Sequence, residues 1–132
     1  MREILFRGKR SDGEWAFGSL LKVTFDGTTY NLTFADNFLF VLGQAKAMEH
    51  AAVIPETVGQ FTGLTDKNGK KIFEGDIVKA ERICNGLYWT GCVVWWHGCF
   101  AIQGIKDSNN VPAIDLFRNY EVIGNIHDNP EL

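Results

Sequence analysis

The sequence predicts a mainly β fold, and three observations carry the prediction. Turn dipeptides recur along the chain: Asp12-Gly13, Asp26-Gly27, Asn68-Gly69, Gly75-Asp76, Asn85-Gly86 and His97-Gly98. Glycine is high at 14 and proline low at 3, which suits many tight turns. Between turns, residues 15–25 alternate with a period of two. Trp15, Phe17, Ser19, Leu21, Val23 and Phe25 share one parity, with Glu14, Lys22 and Thr24 on the other, the signature of a half-buried strand. At most one short helix is expected.

Taken in order, Ile4, Leu5 and Phe6 read as a short first strand, and Arg7 to Gly13 as a charged segment ending in a turn. The alternating strand follows, and Asp26-Gly27 closes a two-residue hairpin in which Phe25 faces Thr28, Val23 faces Tyr30 and Leu21 faces Leu32. Both strands then agree on the apolar face, so the register is well specified. Phe38 to Leu42 reads as another strand. Gln44 to Ala52 holds four alanines with Lys46, Met48 and Glu49 and predicts two helical turns, broken by Pro55. Further strands are expected at Ile77–Ile83 and Tyr120–His127. Tyr88–Trp96 and Cys99–Ile105 form a hairpin around His97-Gly98, with Trp95 opposite Phe100 and Val93 opposite Ile102 as its core face.

The stretch from Gly59 to Val78 carries the densest local signals. Four glycines in twenty residues argue against a helix, each costing about 1 kcal/mol relative to alanine in a helix interior. Asn68-Gly69 predicts a type I′ turn, since both residues tolerate positive φ. Asp66, Lys67, Lys70 and Lys71 make its tip solvated and basic. Gly75-Asp76 predicts a second turn before the strand that begins at Ile77. The pattern is neither a Walker loop nor a dinucleotide fingerprint. Asn68, Gly69, Gly75 and Asp76 are therefore read as structural turn residues, with Asp76 accepting backbone hydrogen bonds.

Thr62-Gly63-Leu64-Thr65-Asp66-Lys67-Asn68-Gly69-Lys70-Lys71-Ile72-Phe73-Glu74-Gly75-Asp76-Ile77-Val78 resembles the hallmark of the YopX family of phage and prophage proteins. Phe6-Arg7-Gly8-Lys9 and Gly13-Glu14-Trp15 resemble the family's opening, and Pro55 to Gln60 also fits. Tyr120 to His127 with Asn129-Pro130-Glu131-Leu132 resembles its ending. Residues 31–52 and 79–119 match mainly in pattern. The resemblance implies a single YopX-like domain over 1–132, with an N-terminal β-hairpin region (1–58) packed on a C-terminal SH3-like barrel (59–132). It also implies the cytoplasm of a bacterial host cell as the setting. It implies no assigned activity and no catalytic residues.

Composition sets the outer bounds. At 132 residues the chain suits one domain burying about two-thirds of its unfolded surface. Apolar residues make up 45% and charged residues 22%, ordinary for a globular protein. The formal charge of −3 opposes a dominant electrostatic drive onto a phosphate backbone. No signal peptide is read, because only three apolar residues separate Glu3 from Arg7, and no apolar run approaches a membrane span. An intracellular protein with Cys84, Cys92 and Cys99 as thiols is expected.

Candidate chemistry is sparse. Cys92, His97 and Cys99 lie close but lack Cys-x-x-Cys spacing and a fourth ligand, so no metal and no cofactor is expected. Cys84 has no partner histidine placed by the sequence. Asp66, Glu74 and Asp76 cluster, but turn carboxylates usually bond backbone N–H groups. The expectation is therefore a non-enzymatic accessory protein that binds a host or phage protein or assembles with itself. Trp96, Tyr88, Lys70 and Lys71 are the candidate binding residues. Trp96 either fills a second core beneath the N-terminal hairpin or forms a contact surface. The alternative is a nucleic-acid-binding barrel using Lys67, Lys70, Lys71, Lys79 and Arg82 with Trp96 or Tyr88 for stacking. An enzyme with an unrecognised constellation is the third reading.

Overall fold

A computed structural model describes residues 4–25, 28–34, 52–106 and 108–129, with the backbone alone for 20–25 and 28–34. The expected turn at Asp26-Gly27, the strand at Phe38–Leu42 and residues 44–51 of the expected helix lie outside the described residues. The chain divides into two compact units, Met1–Phe61 and Thr62–Leu132.

In the first unit, strands β1 (Phe6–Lys9), β2 (Trp15–Phe25), β3 (Thr28–Phe34), β4 (Ala52–Val53) and the start of β5 (Gly59–Thr65) lie in the order β4-β3-β2-β1-β5. The β2–β3 register is the expected one, with Phe25 opposite Thr28, Val23 opposite Tyr30 and Leu21 opposite Leu32. Three expectations are corrected. The first strand begins at Phe6 and takes in Arg7–Lys9, because Phe6 to Lys9 pair with Gly18 to Trp15. Ala52 is extended and pairs with Leu32, so strand pairing overrides its helix propensity. Phe17 is 49% exposed although its parity partner Trp15 is half-buried. The Arg7 guanidinium lies 4.6 Å from the Trp15 ring centroid and is itself buried. A cation thus covers part of a face that alternation marks as apolar. Gly8 is needed where β1 meets β4, since a Cβ there would sit 2.6 Å from Val53 Cγ2.

The second unit continues β5 from Thr62 beside β6 (Lys71–Phe73). It then builds an antiparallel sheet in the order β10-β7-β8-β9, from β7 (Asp76–Arg82), β8 (Tyr88–Trp96), β9 (Cys99–Gly104) and β10 (Phe117–Asn125). β10 and β9 are its edges, so the ladder is open, and these hydrogen bonds do not draw the closed barrel that the resemblance implies. β10 starts at Phe117, three residues before the expected Tyr120, because Phe117 and Arg118 already pair with Arg82 and Glu81. One face of the sheet carries Val78, Ala80, Val93, Phe100, Ile102 and Phe117, which form the core together with Ile72 of β6 and Ile114. Complete burial of each large aliphatic contributes about 1.5–3 kcal/mol. Val93 opposite Ile102 and Trp95 opposite Phe100 follow the expected register. Trp95 nevertheless stands 52% exposed while Phe100 is buried. Parity assigned its face, but it is the last core-side pair before the turn, where cover runs out.

Candidate functional site

The central motif folds around one carboxylate. Asp66 is buried, and its Oδ1 accepts the N–H groups of Asn68 and Lys70, both at 2.9 Å, while Oδ2 accepts Val122 N–H at 3.0 Å. Its backbone N–H donates to Lys70 O at 2.7 Å, and Gly69 N–H donates to Asp66 O at 3.0 Å. Only Gly69 in this loop takes a positive φ, of 83°. The loop is thus a turn followed by a left-handed glycine, not the type I′ turn expected at Asn68-Gly69, because Asp66 supplies the acceptor that holds Asn68 at negative φ. Burial pushes the Asp66 carboxyl up, but the Val122, Lys70 and Asn68 N–H groups and the nearby Lys70 charge outweigh it, leaving the carboxyl below its ordinary value.

At the second turn, Gly75 has φ 90°, donates its N–H to Val93 O and accepts Ile126 N–H, both at 2.9 Å. Asp76, 1% exposed, opens β7, and its Oδ2 accepts Phe73 N–H at 2.8 Å. The turn itself is Glu74-Gly75. Both motif aspartates are therefore occupied by backbone donors. Lys70 and Lys71 are exposed on the hairpin after β5, and the Lys67 ammonium lies 3.7 Å from Glu121.

Tyr88 lies elsewhere, at the first position of β8. With Trp89 and Thr90 it forms one wall of a cleft of about 460 Å³; Gly104, Ile105 and Lys106 form a second wall and Ile123 a third. Cross-strand pairing builds this grouping. Lys79 opposes Thr90, Glu81 opposes Tyr88, and Ile105 N–H donates to Thr90 O at 3.3 Å. The Lys79 ammonium sits 5.2 Å from the Tyr88 ring centroid. Glu81 accepts from Arg118 at 3.1 Å and Asn119 at 2.8 Å, and these two donors, Arg118 first, hold its carboxyl low. Arg82 points to the core side, 5.6 Å from the Trp89 ring centroid and 5.7 Å from Phe117. Sequence reasoning named Tyr88 and Lys79 but missed Thr90, Ile105, Lys106 and Ile123. Parity could have found Thr90, and Ile105 by carrying the Gln103 parity past the end of β9. Ile123 needed the β10–β7 pairing, which no local signal supplies.

Trp96 is far from this cleft. It shares the parity of Tyr88 but lies at the other end of β8, about 26 Å away at roughly 3.3 Å per residue. It is 46% exposed, edge-on to His97 at 4.7 Å. Beside it Trp95 packs edge-on against Phe100 at 4.9 Å. His97 and Gly98 have φ 48° and 85°, so the two-residue loop with consecutive positive φ that was expected at Asn68-Gly69 occurs here. Cys92 Sγ donates to Val93 O and Cys99 Sγ to Trp96 O, and no disulfide joins the three cysteines. Among the described residues, no group of three or more His, Cys, Asp or Glu side chains is placed to hold a metal ion.

Comparison with known proteins adds the lineage. No curated protein matches the chain. Among solved structures it is similar to protein EF1440 from Enterococcus faecalis, at 26% identity over 99% of this chain and 98% of that one, with a TM-score of 0.49. It is also similar to protein yopX from Bacillus subtilis, at 23% identity over 97% of this chain and 83% of that one, with a TM-score of 0.40. The family model described as YopX protein matches residues 6–132, nearly the whole length, and the chain therefore belongs to the YopX family.

Proposed function

We propose that this YopX-family chain is a phage or prophage accessory protein that works by binding rather than by catalysis, with the tip of the β8–β9 hairpin as its contact surface and a second copy of the chain as partner. The observation that carries this reading is the adjacent pair Trp95 and Trp96, 52% and 46% exposed at the end of a regular hairpin. Large aromatics presented on a fixed element lose little freedom on binding and commonly anchor interfaces. The Trp95 contact with Phe100 ties that tip to the core. The backbone roles of Asp66 and Asp76 support a structural use of the motif carboxylates. The phage setting rests on the family resemblance, and a cytoplasmic site of action belongs to the same proposal. Among the described residues no helix is long and apolar enough to cross a membrane.

A closed symmetric homo-oligomer follows when every copy carries the same patch. Light scattering at micromolar concentration tests it: the wild type should be oligomeric, and Trp96→Ala should shift it towards monomer by about 2 kcal/mol or more. A monomeric wild type, or an oligomer unchanged by Trp96→Ala, would remove self-association and leave a host or phage protein as the partner to be sought by co-purification.

A further inference from the structure

The cleft beside Tyr88 is a second surface, independent of the hairpin tip, and its chemistry is one-sided. Among the described residues no carboxylate lines it. Its polar side chains can all donate: the Tyr88 and Thr90 hydroxyls, which also accept, and the Lys106 ammonium, which only donates. Its body is apolar and planar-walled, with Tyr88 60%, Ile105 42% and Ile123 44% exposed.

Lys79 and Lys106 flank the cleft, with Glu81 and Glu121 as the neighbouring carboxylates among the described residues. Both carboxylates are already engaged, Glu81 by Arg118 and Asn119 and Glu121 by Lys67. Asp66, the neighbouring acid, is buried and taken up by backbone donors. The surface thus leaves the Lys79 and Lys106 ammoniums beside an exposed aromatic ring.

We infer that this cleft binds single-stranded nucleic acid, with one base seated against Tyr88 and flanking phosphates on Lys79 and Lys106. A nucleotide is planar, anionic and rich in acceptors, which matches the three properties of the site together. The volume falls in the range of small-ligand pockets, so it holds one base, while Lys79 outside it extends the site to a ligand that continues beyond the cleft. Stacking on Tyr88 is sequence-tolerant, because every base has a π-face. A rigid duplex keeps its bases stacked inside and has none to offer.

Fluorescence anisotropy with a labelled oligothymidylate of about ten nucleotides, at low salt, tests the inference. Binding is expected at micromolar concentrations, with log K falling against log salt at a slope of about −1 to −2. Tyr88→Ala should weaken it on the order of tenfold or more, and Tyr88→Phe should keep most of the affinity. Lys106→Ala should weaken it and flatten the salt slope by about 0.7. Tyr88 and Lys106 are exposed, so these variants should fold, which thermal melting verifies. Absence of binding at about 100 µM protein, or affinity unchanged in both Tyr88→Ala and Lys106→Ala, overturns the inference. Equal affinity for duplex or for oligoglutamate overturns it in favour of a general anion surface. Equal affinity for thymidine monophosphate overturns the strand as ligand and leaves a free nucleotide.

Discussion

Asp66 shows how much one side chain can do. Three backbone N–H groups from two segments, the motif loop and β10, end on its two oxygens. Asp66→Ala strands all three donors and should cost about 1–3 kcal/mol or somewhat more, since bonds to a charged acceptor are the stronger kind. The sign of its pH dependence follows from the lowered pKa. The unfolded chain binds this proton more tightly, so the contribution is complete above the unfolded value of about 3.9 and is lost as pH falls through the lower folded value. Urea denaturation of wild type and Asp66→Asn should show a gap at neutral pH that narrows in acid below about pH 4. A gap independent of pH would assign the cost to packing alone. The motif's aspartate was visible in the sequence, but its third donor, Val122, was not, because it comes from the far end of the chain.

At the scale of elements, the β8–β9 hairpin is the most predictable piece and also the one where pattern misled most. Its two strands and their register follow from period-two alternation and a two-residue turn. Burial did not follow, because parity says which residues share a face and not how far cover extends along it. Trp95 and Phe100 are opposite one another and differ widely in exposure. The turn itself makes a clean prediction. Gly98 has φ 85°, and a Cβ there would meet nothing within 4 Å, so Gly98→Ala should cost about 1–2 kcal/mol through backbone conformation alone. His97→Asn, at φ 48°, should be neutral or slightly stabilising, since asparagine tolerates this region. Chemical denaturation of the two variants checks both, and equal losses would show that the turn is not what limits the hairpin.

For the whole molecule, the register of that hairpin decides the redox chemistry. Cys92 opposes Gln103 and Cys99 opposes Trp96, so the two thiols lie four positions apart along β9, about 13 Å at 3.3 Å per residue. A disulfide needs Cα atoms within about 7 Å. Titration of freshly purified, denatured protein should count three thiols, Cys84 being outside any disulfide as well, and a mapped Cys92–Cys99 disulfide would contradict this register. Local signals in the sequence were enough for the mainly β class, for the β2–β3 and β8–β9 registers and for the YopX lineage, because turns and alternation act over a few residues. They were not enough for the β1 pairing, for Ala52 in a strand, or for the company that Tyr88 keeps. The cleft joins the start of β8, the end of β9 and the bulged middle of β10. Its combination of an exposed ring with two flanking ammoniums arises only when those strands lie side by side, since charge and exposure are properties of a surface and the sequence orders residues along a line.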